Sequence, residues 1–144
     1  MKIKSCTQND FVNAFLTKYA ECINDINVNE ETYYIGTEEK EAFRYSMIND
    51  DVPFGKCDNR IAMNASMCEA YRLDEDEMTA MLFHEIGHIV YPNEVDGFEK
   101  EHRADGLAIS VGLGEALKSG LQKLVDTGMF REEKEEMIRR INAI

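Results

Sequence analysis

The sequence predicts an α+β fold: a small, mostly antiparallel sheet packed on an N-terminal helix and on a helix over residues 74–90, followed by a helical C-terminal half. Three observations carry this. The best strand-forming runs, Thr32-Tyr-Tyr-Ile35 and Arg60-Ile-Ala-Met-Asn64, fall in the first half of the chain. Apolar residues at three-to-four-residue spacing mark residues 8–26 and most of the chain beyond Leu73. The 144 residues are 44% hydrophobic and 31% charged, with only two prolines, which is the composition of a folded domain long enough to bury one core. One domain over residues 1–144 is therefore expected.

The elements follow in order. Phe11, Phe15, Leu16, Tyr19, Ile23 and Ile26 form the apolar stripe of an amphipathic helix over residues 8–26. Between the two strands, residues 38–58 mix helix and loop signals. Asp74 is placed to N-cap a helix and Glu77, three residues on, to complete a capping box, with Leu73 and Met78 as a hydrophobic staple. Met78, Met81, Leu82, Glu85, His88 and Ile89 keep helical spacing until Tyr91-Pro92, where proline forces its predecessor out of the helix. Residues 92–97 read as a turn, and helices are expected at Phe98 to Val111, Glu115 to Val125 and Arg131 to Ile141. Met63, Met67, Met78 and Met81 suit deformable core filling better than thioether ligation.

Charge narrows the function classes. Asp and Glu outnumber Lys and Arg by 28 to 16, a net charge of −12 that repels phosphate backbones and anionic lipid, so neither nucleic acid nor a membrane surface is an expected partner. The longest nearly apolar stretch, residues 106–114, is far shorter than the roughly 18 residues a membrane span needs. Cys6, Cys22, Cys57 and Cys68 form no C-x-x-C pair, and the first ten residues lack the apolar core of a signal peptide. A cytoplasmic protein is expected, with its cysteines as small apolar residues in or near the core.

Chemistry enters at His84-Glu85-Ile86-Gly87-His88, an H-E-x-x-H pattern. With three histidines in 144 residues, chance supplies it only about 0.01 times per chain, so coincidence is a poor explanation. Residues four apart share a helix face with Cβ atoms about 5–6 Å apart, which lets both imidazoles meet one ion. Glu85 sits beside that ion without ligating it, placed to take a proton from metal-activated water and return it to a leaving amine. A catalytic zinc site takes a third protein ligand. Glu94, Asp96, Glu99, Glu101, His102 and Asp105 are the downstream candidates. Glu94 fits poorly, because Tyr91 stands where the matching longer motif has a turn glycine. Glu101 and Asp105, four apart on the next helix, stack a ligand carboxylate and a supporting carboxylate on one face. Glu101 is thus the expected third ligand. His102, about 100° around the helix from it, and Tyr91, at a helix end, are expected to take no direct part.

Together, His84-Glu-Ile-Gly-His88 and Glu101-His-Arg-Ala-Asp105-Gly-Leu-Ala108 resemble the signature of gluzincin zinc metallopeptidases over about residues 60–125. Residues 104–124 are similar to the helices after the third ligand in prenyl-protease-like and heat-shock membrane peptidases, and Ile61 to Met67 resembles the strand before their active-site helix. The resemblance implies zinc on His84, His88 and Glu101, Glu85 as general base and acid, and Asp105 supporting a ligand histidine. Only twelve residues separate His88 from Glu101, fewer than in those membrane enzymes, and the size is similar to that of soluble minigluzincins and, more distantly, ImmA/IrrE-type peptidases. It further implies a peptide or protein substrate. In a latent, non-catalytic alternative, the site is blocked by the C-terminal segment Arg131 to Ile144 or by a homodimer partner. The strand Arg60 to Asn64 is expected to lie near the cleft, where it takes an extended peptide by strand addition.

Overall fold

A computed structural model describes residues 1–37, 52–91, 97–127 and 133–144. Contacts divide it into two compact units, Met1–Ser66 and Met67–Ile144. The class is α+β, with four strands and seven helices among the described residues and a helical C-terminal half.

The first unit holds β1 (Lys2–Ser5), α1 (Asp10–Lys18), α2 (Ala20–Asn24), β2 (Thr32–Thr37), β3 (Phe54–Cys57) and β4 (Arg60–Met63). Asn9 caps α1, its side chain accepting from the Val12 amide at 3.1 Å. The expected single helix over residues 8–26 is two helices broken at Tyr19. Just before the break, the Thr17 hydroxyl donates back to the Asn13 carbonyl at 3.1 Å, a contact that bends helices. Of the expected stripe Phe15 and Ile23 are buried, while Phe11, Leu16, Tyr19 and Ile26 are half-buried, and Val12, outside that stripe, is fully buried.

The sheet runs β1-β2-β4-β3, and it corrects the expectation of a mostly antiparallel sheet. β1 pairs parallel with β2 (Ile3 opposite Tyr33) and β2 parallel with β4 (Ile35 opposite Ile61), while only β3 and β4 are antiparallel. The helical return through α1 and α2 carries the chain back to start β2 in the direction of β1, which a tight hairpin cannot do. Asp58, at φ 51°, turns β3 into β4, a left-handed conformation that Asp tolerates. Because β4 is hydrogen-bonded on both sides, the strand expected to receive a peptide has no free edge. The strand also stops at Met63, and a short helix, α3 (Ala65–Ala70), begins where strand was expected to continue to Met67. Residues 38–51 of the mixed helix and loop region lie outside the described residues.

The second unit contains α4 (Glu75–Val90), α5 (Gly97–Ser110), α6 (Gly114–Thr127) and α7 (Lys134–Ala143). α3 leads into it through Arg72, at φ 57°, with the Leu73 amide bonded to the Cys68 carbonyl at 3.0 Å, a helix-ending motif that turns the chain toward the next cap. That cap is the expected capping box: the Glu77 amide donates to Asp74 Oδ1 at 2.8 Å, and the Asp74 amide donates to Glu77 Oε1 at 2.9 Å. Glu77 is almost fully buried and also accepts from Ser119 Oγ and Lys123 Nζ on α6, tying the start of α4 to that helix. Burial alone raises its carboxyl, but these donors outweigh burial and hold it below the usual carboxylate range. Asp74→Ala is expected to cost about 0.5–2 kcal/mol by urea denaturation with an unchanged slope. Unchanged stability would mean that the cap is idle.

α4 packs against α5 and α6, and buries Ala80, Leu82, Phe83 and Ile86. Met81 lies on the face toward α6, its Cε 2.7 Å from where a Cβ on Gly120 would stand. Of the four methionines expected to fill the core, Met63 and Met81 are buried, whereas Met67 and Met78 are only half-buried. Of the cysteines only Cys68 is buried; Cys57 is exposed, because it ends an edge strand beside the turn. None of the described helices is long and apolar enough to cross a membrane.

Candidate metal centre

The cap at Asp74 sets the start of α4, and from it the four-residue spacing of His84 and His88 puts both imidazoles on one face. Their rings meet edge to face with centroids 4.6 Å apart and the two Nε2 atoms 3.1 Å apart. α5 crosses this face at Gly87. A Cβ there would stand 2.8 Å from Ala104 Cα and collide with the Ala104 carbonyl oxygen, so only glycine lets the two backbones touch. Contact at Ala104 brings in Glu101, three residues before it, and Asp105, one after. Glu101 Oε2 lies 3.0 Å from His84 Nε2 and 3.1 Å from His88 Nε2. The three atoms form a nearly equilateral triangle, and the group can hold a metal ion.

Behind the triangle is a second tier. Asp105 is fully buried, and its Oδ1 lies 2.7 Å from His84 Nδ1. With the Nδ1 proton donated to that carboxylate, a neutral His84 presents the Nε2 lone pair to the triangle. Arg140 of α7 donates Nε to Asp105 Oδ2 at 2.9 Å and Nη2 to Oδ1 at 2.7 Å. Its Nη2 also stands 3.3 Å from His84 Nδ1.

The electrostatics demand positive charge at the centre. Burial and the Arg140 charge push the His84 imidazole down, but hydrogen bonds to Asp105 and Glu101 outweigh them and hold it at about 9. Burial raises the Glu101 carboxyl, yet the hydrogen bonds from His84 and His88 leave it well below the usual carboxylate range. Asp105 is likewise lowered against its burial, by His84 and Arg140. Two imidazole nitrogens and a carboxylate oxygen at mutual distances of 3.0–3.1 Å repel unless a proton or a cation lies among them. The donor set can hold a metal ion in place of that proton.

The structure brings His84, His88 and Glu101 together, with Asp105 behind His84. Glu85 is half-buried on α4 next to His84; its carboxylate makes no hydrogen bond or ion pair with a described side chain, and its charge helps to keep the Arg140 guanidinium protonated. Glu99 is exposed and outside the group, while Glu94 and Asp96 lie outside the described residues. The His102 ring instead stacks on Phe98 at 5.4 Å, with the Arg139 guanidinium 4.3 Å from the Phe98 centroid. Tyr91 is exposed at the end of α4.

Arg140 is the residue the sequence reading missed. It shares one face of α7 with Met137 and Ile141, and all three are buried. α7 falls within Arg131 to Ile144, the segment that the latent alternative places over the site. Through Arg140 it meets His84 on the Nδ1 edge, opposite the Nε2 that faces the triangle.

No family model, curated protein or solved structure matches the chain.

Proposed function

We propose that this protein is a zinc-dependent peptidase of gluzincin type, working on peptide or protein substrates in the cytoplasm. The observation that carries this reading is the triangle of His84 Nε2, His88 Nε2 and Glu101 Oε2 beside a half-buried Glu85 whose carboxylate hydrogen-bonds to no described side chain. Two imidazoles and a carboxylate are a known zinc donor set for hydrolysis. Zinc bound there supplies a Lewis acid that polarises a carbonyl and acidifies water. His84, His88 and Glu101 hold the ion, and Asp105 keeps His84 in the tautomer that ligates. Glu85 would take the proton of the attacking water as the new C–O bond forms at the peptide carbonyl, and then hand that proton to the amide nitrogen as the C–N bond breaks and the amine leaves.

A second reading has one specific observation behind it. Bonds of about 2.0–2.1 Å place ligand atoms about 3.3 Å apart in a tetrahedral site but about 2.9 Å apart at right angles. The observed 3.0–3.1 Å edges fall between, and a facial set of two His and one carboxylate also suits non-haem iron.

Metal analysis after loading, with a peptide-library screen by mass spectrometry, tests both. One zinc per chain is expected, lost in His84→Ala and His88→Ala, together with peptide cleavage that a chelator abolishes. At free zinc a thousand times the dissociation constant, the metal adds about 4 kcal/mol of stability, seen as a higher melting temperature. Preferential retention of iron(II) over zinc, or full zinc binding by both alanine variants, overturns the zinc-peptidase reading.

A further inference from the structure

We propose that Arg140 is a positioning residue of the metal centre: its two-pronged grip on Asp105 sets the ring plane and tautomer of His84, and through them metal affinity. The proposal rests on the metal-site reading above.

Arg140 is 7% exposed, on the buried face of α7 between Met137 and Ile141. A guanidinium there is costly unless its charge and hydrogen bonds are met. Asp105 meets them with both oxygens, and of these Oδ1 is also the atom 2.7 Å from His84 Nδ1. One carboxylate oxygen thus serves two elements, the α7 guanidinium and the α4 imidazole. Since Asp105 is fully buried, solvent cannot hold the carboxylate in that orientation. Two parallel N–H···O bonds from a rigid guanidinium leave its plane one choice, and Oδ1 is fixed in line with Nδ1. A lysine ammonium supplies the same charge but is a point donor that does not clasp both oxygens at once. The rival account makes Arg140 only the buried ion pair that docks α7, with no consequence at His84.

The full-length chain distinguishes these through Arg140→Lys and Arg140→Met. Zinc affinity is measured by chelator competition, the His84 Nδ1–H by imidazole NMR of the zinc-loaded protein, and stability by urea denaturation of the metal-free protein. In the wild type, a slowly exchanging Nδ1–H resonance and tight zinc binding are expected. Arg140→Lys keeps the charge and the fold, and is expected to bind zinc about 10–100-fold more weakly with the Nδ1–H resonance broadened or lost. Arg140→Met, if it folds, is expected to be weaker still. Wild-type zinc affinity and an intact Nδ1–H resonance in Arg140→Lys overturn the proposal, whatever happens to stability and whether or not Arg140→Met folds. A wild-type chain that binds no zinc defeats the metal-site reading itself, so the two failures are told apart.

Discussion

Glu85→Gln is expected to keep one zinc per chain and to lower turnover of a peptide the wild type cleaves by about 10²–10⁴. The substitution is nearly isosteric, and the Glu85 carboxylate makes no hydrogen bond or ion pair with a described side chain and acts on Arg140 only through its charge, so the fold and the triangle should survive it. Glu85 is not one of the three residues that can share an ion, and affinity should therefore stay near that of the wild type. What disappears is the proton acceptor, because an amide cannot take a proton from water and pass it on. Metal content and turnover separate in this variant, whereas loss of a ligand removes both. A Gln variant with wild-type turnover at full zinc occupancy would sink the mechanism.

The parts of the molecule that local chemistry dictates were legible before the structure. Asp74 and Glu77 lie three residues apart and cap each other through bonds that need no distant partner, so α4 begins one residue after its expected cap and ends at Val90, two before Pro92. His84 and His88 meet for the same local reason. The sheet was not legible in this way. β1 offers one apolar residue, Ile3, between lysines, and it becomes a strand only by pairing with residues thirty positions away. That pairing is parallel, so no turn sequence announces it. Arg140 was hidden by a different rule: arginine is seldom buried, and an Arg in a charge-rich helix reads as solvated surface until a buried carboxylate is found opposite it. Glu101 and Asp105 stood between these cases. Their spacing put them on one face of α5, but only the crossing of α5 over Gly87 decided that this face meets the histidines.

That crossing gives the second large effect. Gly87→Ala is expected to leave a folded chain whose zinc affinity falls at least a hundredfold, and Gly87→Val to be worse on both counts. Alanine in a helix interior normally gains about 1 kcal/mol over glycine. Here the added methyl would stand 2.8 Å from Ala104 Cα and 3.0 Å from its carbonyl carbon, atoms of a helix backbone that cannot rotate aside. Overpacking of this kind costs about 1–3 kcal/mol, so the clash outweighs the helix propensity. Relief comes by moving α5 away from α4, and α5 carries Glu101 and Asp105 while α4 carries both histidines. Metal ligation tolerates only about 0.2 Å, so a parting too small to unfold the unit is large enough to break the triangle. Gly106→Ala is the control. On the same α5 helix its added Cβ meets no described atom within 4 Å, and it should gain stability with zinc binding unchanged. If zinc affinity and urea stability respond alike to the two substitutions, the close approach at Gly87 does not set the metal site.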